Sequence, residues 1–238
     1  MSKSTNYIGS ELELFSHAKT WKAYWGNQVL PYLGTRVLEV GAGIGTNTGH
    51  LIQQSSIIKE WVCLEPDATL SGQILNSLPE PYKEKVEVRT EYLSDYTTQD
   101  LFDSILYIDV IEHIEDDQEE LLLASSFLKE GGYLIILVPA HPFLYSDFDK
   151  AIGHFRRYNK NMLKQAVGQT LRLDCLRYLD TIGICASTVN KLFLKQSYPT
   201  LKQVQFWDTV IVRFSKVIDV LVGYKLGKSL LGIWKKQV

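Results

Sequence analysis

An alternation constrains this chain more than any other feature. Short apolar runs, each closed by a turn, recur between helix-patterned segments from residue 36 to residue 139. The runs are RVLEV (36–40), EWVCLE (60–65), KVEVR (85–89), FDSILYID (102–109) and YLIILVP (133–139). The last lacks polar alternation, as a strand buried on both faces does. Strands alternating with helices build a parallel sheet covered by helices. Right-handed crossovers then bring all the strand carboxyl ends to one edge, where ligands bind near the switch in strand order.

The helical segments are expected at about residues 11–30, 46–54, 67–78, 115–128 and 160–168. In the first, Leu14, Ala18, Trp21, Trp25 and Val29 share one stripe, and Pro31 and Gly34 end it. Thr46 or Asn47 would cap the second. Acids open the fourth, which suits a positive helix end, and Gly131 and Gly132 would break it. After Pro139 the pattern changes. Residues 140–160, AHPFLYSDFDKAIGHFRRYNK, are polar and aromatic without a period. A loop of that length in a compact domain is usually functional, and this one follows a central strand. LRLDCLRYLD (171–180) reads as a strand, residues 182–195 and 201–222 as apolar-rich helices, and SLLGIWKK (229–236) as a last strand.

The chain has 238 residues with 45% hydrophobic and 22% charged, enough for one globular domain with a substantial core. The net charge of -2 gives no overall field to recruit nucleic acid or an anionic surface. Cys63, Cys175 and Cys185 are scattered without a CxxC spacing, so no zinc site or disulfide framework is expected. Cys63 and Cys175 read as buried small hydrophobes. The N-terminus lacks an apolar signal core, and no apolar run approaches the ~18 residues of a membrane span. A cytoplasmic protein is the expectation.

The first strand runs into VLEVGAGIGTNT (37–48), a G-x-G-x-G turn at Gly41, Gly43 and Gly45 with Thr46 next. A dinucleotide fingerprint would want glycine at 46, so a dinucleotide oxidoreductase is disfavoured. Glycines admit positive φ and close approach of a ligand. The turn is either a cradle for a flat group or a plain tight strand–helix connection. Glu65 ends the second strand, where an ionised carboxylate can accept both hydroxyl hydrogens of a ribose or else cap a helix. Asp109 ends the fourth strand on the same edge.

At these residues the chain resembles the class I S-adenosylmethionine-dependent methyltransferases. The matching pieces are VLEVGAGIGTNT, CLEPD, FDSILYIDVIEHIEDD, LKEGGYLIILVPA and GHFRRY, in order, over about residues 36–160. GKSLLGIWKK resembles the closing strand. The resemblance implies a seven-stranded, mostly parallel, Rossmann-like α/β sheet with helices on both faces. Residues 1–34 would be a cap helix, 35–180 the cofactor-binding core, and 181–238 a helical insertion with the final strand. It implies S-adenosyl-L-methionine as cofactor and S-adenosyl-L-homocysteine as product. Gly41, Ala42, Gly43, Gly45 and Thr46 would underlie its methionine portion. Glu65, with Pro66, would hold the ribose, Tyr92 and Leu93 would meet adenine, and Asp109 and Val110 would flank the methionine. Glu39 matches a common acid of the first strand and would face the pocket, satisfied by the cofactor ammonium or a glycine-turn N–H.

Methyl transfer from a sulfonium asks the protein to orient the acceptor and exclude water, with a base only where the acceptor must lose a proton. His113, His141 and His154 are the candidate bases, since an unperturbed imidazole titrates near pH ~6.5. His113 has a structural alternative, and no metal is expected. Asp149, Arg156 and Arg157 are read as ion pairs pinning the long loop, and Tyr145 and Tyr158 as pocket walls or packing. On the N-terminal helix, Trp21 and Trp25 are read as core and Tyr24, off their line, as a ligand contact. Residues 201–238 carry seven basic and two acidic residues. They read first as helices covering the pocket, with membrane contact as the lesser alternative. The expected acceptor is a small, partly apolar molecule methylated on nitrogen or oxygen, and no nucleic acid is expected. Methylation of a lipid or quinone precursor at a membrane, or cofactor binding without catalysis, are the alternatives.

Overall fold

Seven strands pair in one sheet in the order β3-β2-β1-β4-β5-β7-β6, in a computed structural model that describes residues 10–189 and 198–237. The strands are β1 (Arg36–Val40), β2 (Glu60–Leu64), β3 (Val86–Arg89), β4 (Phe102–Ile108), β5 (Leu128–Pro139), β6 (Leu171–Leu179) and β7 (Ser229–Lys236). All neighbours run parallel except β7, which lies antiparallel between β5 and β6. The switch in strand order falls between β1 and β4, at the exit of the glycine turn.

The helices are α1 (Ser10–Ser16), α2 (Lys19–Val29), α3 (Thr46–Ile52), α4 (Ala68–Ser77), α5 (Glu80–Lys83), α6 (Asp117–Ser126), α7 (Asp147–Ala151) and α8 (Lys160–Val167). After β6 come α9 (Thr181–Val189), α10 (Leu201–Phe206), a π turn (Trp207–Ile211) and α11 (Val212–Leu221). Side chains alternate across the central strands, so Val37, Trp61 and Cys63 feed one core and Leu38, Val62 and Leu64 the other. The first core takes Trp25 of α2, Leu51 of α3, Ile74 of α4 and Val212 of α11; the second takes Leu121 of α6 and Leu163 of α8. Helices therefore cover both faces, as a parallel sheet requires.

Several boundaries differ from the sequence reading. The N-terminal helix is two, separated at His17 and Ala18. Gly45, not Thr46 or Asn47, is the N-cap of α3, at φ 79° and without a side-chain bond. Gly131 and Gly132 do not break α6, which ends at Ser126; they lie inside β5. A Cβ on Gly132 would sit 3.0 Å from the carbonyl oxygen of Asp103 and 2.9 Å from that of Lys129, so the chains close there only through glycine. The long loop holds a short helix, α7. Residues 190–195 of the helix expected over 182–195 lie outside the described residues.

The cap attaches by polar groups turned inward. On the π turn and α11, Asp208, Ser215 and Asp219 are buried. Asp208 accepts from the backbone N–H of Thr20 and Trp21 at 3.0 and 2.7 Å. Asp219 accepts from Tyr24 Oη, Asp180 N and Thr181 N, at 2.7, 2.7 and 2.8 Å. Asp180, in the left-handed region at φ 65°, accepts from Ser215 Oγ and Trp207 Nε1. Buried carboxylates that collect several donors specify one orientation of α11 against α2 and β6.

Candidate functional site

At the carboxyl edge of the sheet the chain leaves β1 through Gly41, whose N–H donates to Leu64 O at 2.8 Å, as does that of Ala42 at 3.1 Å. Gly41 has φ 69°, and a Cβ there would lie 2.7 Å from a Val110 methyl carbon. Gly45 has φ 79°, and a Cβ would meet Ser77 Oγ at 2.8 Å. Both positions require glycine for conformation and for space. Glu65, past the tip of β2, accepts from Gly43 N at 2.8 Å and from Asp67 N at 3.0 Å. Each carboxylate oxygen keeps a further lone pair for a ligand. Burial raises the Glu65 pKa, and these two N–H bonds act against it.

A cavity of about 1770 Å³ opens above this turn. Its wall takes in Gly41, Ala42, Gly43, Thr46, Glu65, Pro66, Tyr92, Leu93 and Val110 around the glycine turn, and also Trp21, Trp207, Glu112, His154, Arg157 and Lys228, here called the far end. Ordinary small-molecule pockets run to ~300–1,000 Å³, so this one has room for two ligands side by side. Leu12 of α1 lies over Gly43, 3.2 Å from where a Cβ would be. Lys22 Nζ donates to the carbonyls of Phe15 and Ser16, at 2.9 and 3.1 Å, and so clamps α1 onto α2 as a roof. Burial pushes the Lys22 pKa down to about 8 against the pull of Asp208 and Asp109.

The far end is aromatic and charged. Trp207 meets Phe15 and Trp21 at centroid distances of 6.1 and 5.7 Å, and Lys228 Nζ lies 4.0 Å from its ring centroid. His154 Nδ1 lies 2.9 Å from Asp149 Oδ1, and Arg157 Nε donates to the same oxygen at 2.7 Å. Burial would raise the Asp149 pKa, but the bonds from His154, Arg157 and Ser146 hold it well below the usual carboxylate range. An ionised Asp149 can only accept, so it fixes the imidazole proton on Nδ1 and leaves Nε2 as the basic nitrogen. Nε2 faces Glu112 Oε1 at 3.8 Å. Glu112 is fully buried and neither of its oxygens has a hydrogen-bond partner; burial first, and then Asp109, raise its pKa well above the ordinary value. Asp109, at φ 56°, is exposed towards the cavity at its floor, an enclosure within the fold rather than open solvent. That enclosure raises its pKa, while His154, Lys228, Arg157 and Lys22 pull it down.

Glu112, His113 and His154 offer ligand atoms within 4.8 Å of one another. Arg157 and Lys228 already bring positive charge to Asp109, and Arg157 to Glu112. That charge opposes a divalent cation, so the cluster favours a proton site over a metal site.

Of the residues expected from the sequence to be cofactor contacts or bases, the cavity brings together Gly41, Ala42, Gly43, Thr46, Glu65, Pro66, Tyr92, Leu93, Asp109, Val110, His113 and His154. Four lie off its wall. Gly45 caps α3 beneath the turn. Glu39 is buried in the sheet, where Thr48 Oγ1 and Trp61 Nε1 donate to Oε2 at 2.5 and 3.0 Å. Its partners are therefore not glycine-turn N–H groups, Oε1 has none, and burial pushes its pKa up to about 7. Tyr24 is bonded to Asp219 and faces α11, whereas Trp21 and Trp25 line the cavity. Trp21 and Trp25 are buried in the first core as expected, and the same stripe also forms part of the cavity wall; only the expected ligand contact of Tyr24 is missing. His141 stacks on Tyr178 at 4.7 Å, away from the cavity. His113 lines it, but burial, and then His154, push its pKa down to about 3, which leaves a poor base.

Arg157 pairs with Asp149, and Arg156 with Asp117 at 2.6 Å, so the expected pins of the loop are in place. Tyr145 and Tyr158 pack: Tyr145 Oη donates to His154 O, and Tyr158 Oη to Asp117. Glu112, Trp207, Lys22 and Lys228 were not singled out as site residues. Only Glu112 carries a sequence signal, one turn past the β4 exit and beside His113.

Residues 14–188 match the family model of a methyltransferase domain. The chain belongs to that family. No curated protein matches its sequence. In fold it is similar to the N-methyltransferase NodS from Bradyrhizobium japonicum WM9 in complex with S-adenosyl-L-homocysteine, at 13% identity and TM-score 0.59, with 97% of each chain covered. It is similar to coclaurine N-methyltransferase bound to N-methylheliamine and S-adenosyl-homocysteine, at 13% identity and TM-score 0.62, over 99% of this chain and 76% of that one. A third likeness is to the plantazolicin methyltransferase BpumL, at 11% identity and TM-score 0.57, over 99% of this chain and 89% of that one. At such identities the likeness is one of fold.

This methyltransferase is of class I and uses S-adenosylmethionine. Its own residues fit that cofactor: the glycine turn admits no Cβ at Gly41, a carboxylate stands at the tip of β2, and both face one cavity with Tyr92 and Leu93. When bound, the cofactor supplies an electrophilic methyl group on a sulfonium.

Proposed function

We propose that this methyltransferase places a methyl group on a nitrogen or oxygen of a small, partly apolar acceptor. One observation carries the reading: a single cavity joins the Gly41–Gly43 wall and Glu65 to the aromatic Trp21–Trp207 wall and the Asp149–His154 pair. In this reading Glu65 holds the ribose hydroxyls, Tyr92 and Leu93 flank adenine, and Asp109 and Val110 border the methionine portion. Trp21 and Trp207 orient the apolar body of the acceptor, which sets the nucleophile in line and excludes water. Positioning of this kind can supply up to ~7–11 kcal/mol in ideal cases.

His154 accepts the acceptor's proton at Nε2 as the new bond to carbon forms and the carbon–sulfur bond breaks. The imidazolium that results is stabilised by Asp149. A neutral amine attacks before it loses its proton, so its need for His154 is smaller than that of a hydroxyl.

An acceptor panel with cofactor labelled in the methyl group tests this. Label transfer to an amine or hydroxyl compound is expected, with His154→Ala lowering turnover by about 10²-fold or more for a hydroxyl acceptor. Full turnover in His154→Ala would remove the base. Tight cofactor binding with no transfer to any acceptor would favour a binding protein instead.

A further inference from the structure

The cap helices bury polar side chains among apolar ones such as Val204, Trp207 and Val212, and leave an apolar stripe outside. Along the π turn and α11 the buried side chains include Asp208, Ser215 and Asp219. The outward face holds Phe206, Val210, Phe214, Val217 and Leu221, at steps of four, four, three and four residues. That spacing sets one apolar stripe along a helix. Phe214 is 62% exposed and Leu221 75%. Outside the segment 198–226, exposed large hydrophobics among the described residues, such as Ile57, Leu75, Leu122 and Phe143, are far apart in sequence. A contiguous apolar ridge on a soluble surface marks an interaction site.

Charge selects the occupant. Between Tyr198 and Leu226 the acids are Asp208 and Asp219, and both are buried. Lys202, Arg213 and Lys225 are exposed beside the ridge, and Lys216 is half-buried over the Tyr24 ring. The ridge is thus free of outward negative charge, although the whole chain is at -2. Net charge alone hides this segregation. A second copy of the chain would bring the same basic flank against itself in a two-fold interface. An acidic protein would need a matching groove for a convex helix, whereas a bilayer needs none. The ridge is also continuous with the active-site mouth, since Lys202 and Phe206 line the cavity.

We propose that the outer face of α10, the π turn and α11 docks on an anionic lipid bilayer, lying in its interface and presenting the cavity mouth to it. The helix lies on the surface and does not cross: no helix among the described residues is long and apolar enough to span. Docking goes beyond the methyl-transfer reading and stands without it. An acceptor with an apolar body would reach the mouth from the lipid phase.

Flotation with vesicles decides the matter, using the full chain. Vesicles of phosphatidylcholine alone are compared with vesicles of phosphatidylcholine and phosphatidylglycerol in equal parts. The wild-type chain is expected to float with the anionic vesicles and not with the neutral ones. Phe214→Ser with Leu221→Ser, and separately Arg213→Gln with Lys225→Gln, are each expected to lower the bound fraction about tenfold. High salt should weaken wild-type binding. All three proteins should bind S-adenosylhomocysteine alike in calorimetry, which shows that the variants fold and keeps this test separate from the methyl-transfer reading. Failure of the wild type to float with anionic vesicles overturns the proposal. So does a wild-type dimer in light scattering that Phe214→Ser with Leu221→Ser dissolves, which would make the ridge a contact between copies.

Discussion

Around Gly41 the cavity wall is main chain; around His154 it is charged side chains. The end proposed to hold the cofactor is set by backbone geometry that only glycine allows, plus one carboxylate at the tip of β2. The far end rests on Asp149, Asp180, Asp208, Asp219 and Glu112, all buried and countered by Arg157, Lys228 and backbone N–H groups. A wall of main chain cannot be retuned by side-chain substitution, and it suits a fixed ligand. A wall of side-chain networks can be rebuilt, and it suits an acceptor that differs between relatives. The difference also predicts where damage is costly.

The largest effect is expected at the far end. Asp219→Ala orphans Tyr24 Oη and the N–H groups of Asp180 and Thr181. Chemical denaturation should show a loss of about 3–5 kcal/mol, the scale for breaking a buried charged network. A loss within ~0.5 kcal/mol, typical of surface sites, would mean that the cap is held by apolar packing instead.

Asp149→Asn sharpens the contrast between support and chemistry. It should lower kcat about 100-fold for a hydroxyl acceptor, worth ~2.7 kcal/mol, and leave cofactor affinity unchanged. If Asp149 only pins the loop, KM would rise instead and the pH profile of kcat would keep its shape.

A smaller effect is expected beneath the cofactor end, at Glu39, whose folded pKa stands at about 7 against an ordinary 4.5. At pH below the ordinary value the group is protonated folded and unfolded alike, and its full contribution is present. As pH rises towards about 7 only the folded chain keeps the proton, and beyond it the fold must bury an anion. The cofactor-free chain should therefore lose stability, on the order of 2 kcal/mol, between acid and mildly alkaline pH relative to Glu39→Gln. Parallel pH–stability curves for the two proteins would place the Glu39 pKa near its ordinary value.

The two ends also differ in how much the sequence discloses. Each of the seven strands has a counterpart in it: the interior parallel strands β1, β2, β4 and β5 are near-continuous apolar runs closed by turns, and SLLGIWKK coincides with β7. The glycine turn and Glu65 are legible for the same reason: backbone requirements leave few residue choices. At the far end the determinants are long-range. Asp219 reaches Tyr24 across 195 positions. No local pattern announces that pairing or the inward turn of Asp208 and Ser215. The helix α7 had a local signal that went unread, the Ser146–Asp149 capping box within an otherwise aperiodic loop. Of the three candidate histidines, His154 lines the cavity with a carboxylate on its Nδ1, whereas burial weakens His113 as a base and His141 stacks elsewhere.

Calorimetric titration of S-adenosylhomocysteine into the wild type, Glu65→Ala and His154→Ala tests the division of the cavity most directly. Glu65→Ala should bind more weakly by about 1.5–3 kcal/mol, as charge-assisted hydrogen bonds to the ribose are lost. His154→Ala should bind like the wild type. Equal affinity in Glu65→Ala, or equal weakening in both variants, would contradict a cavity with a cofactor end at the glycine turn and a separate acceptor end at His154.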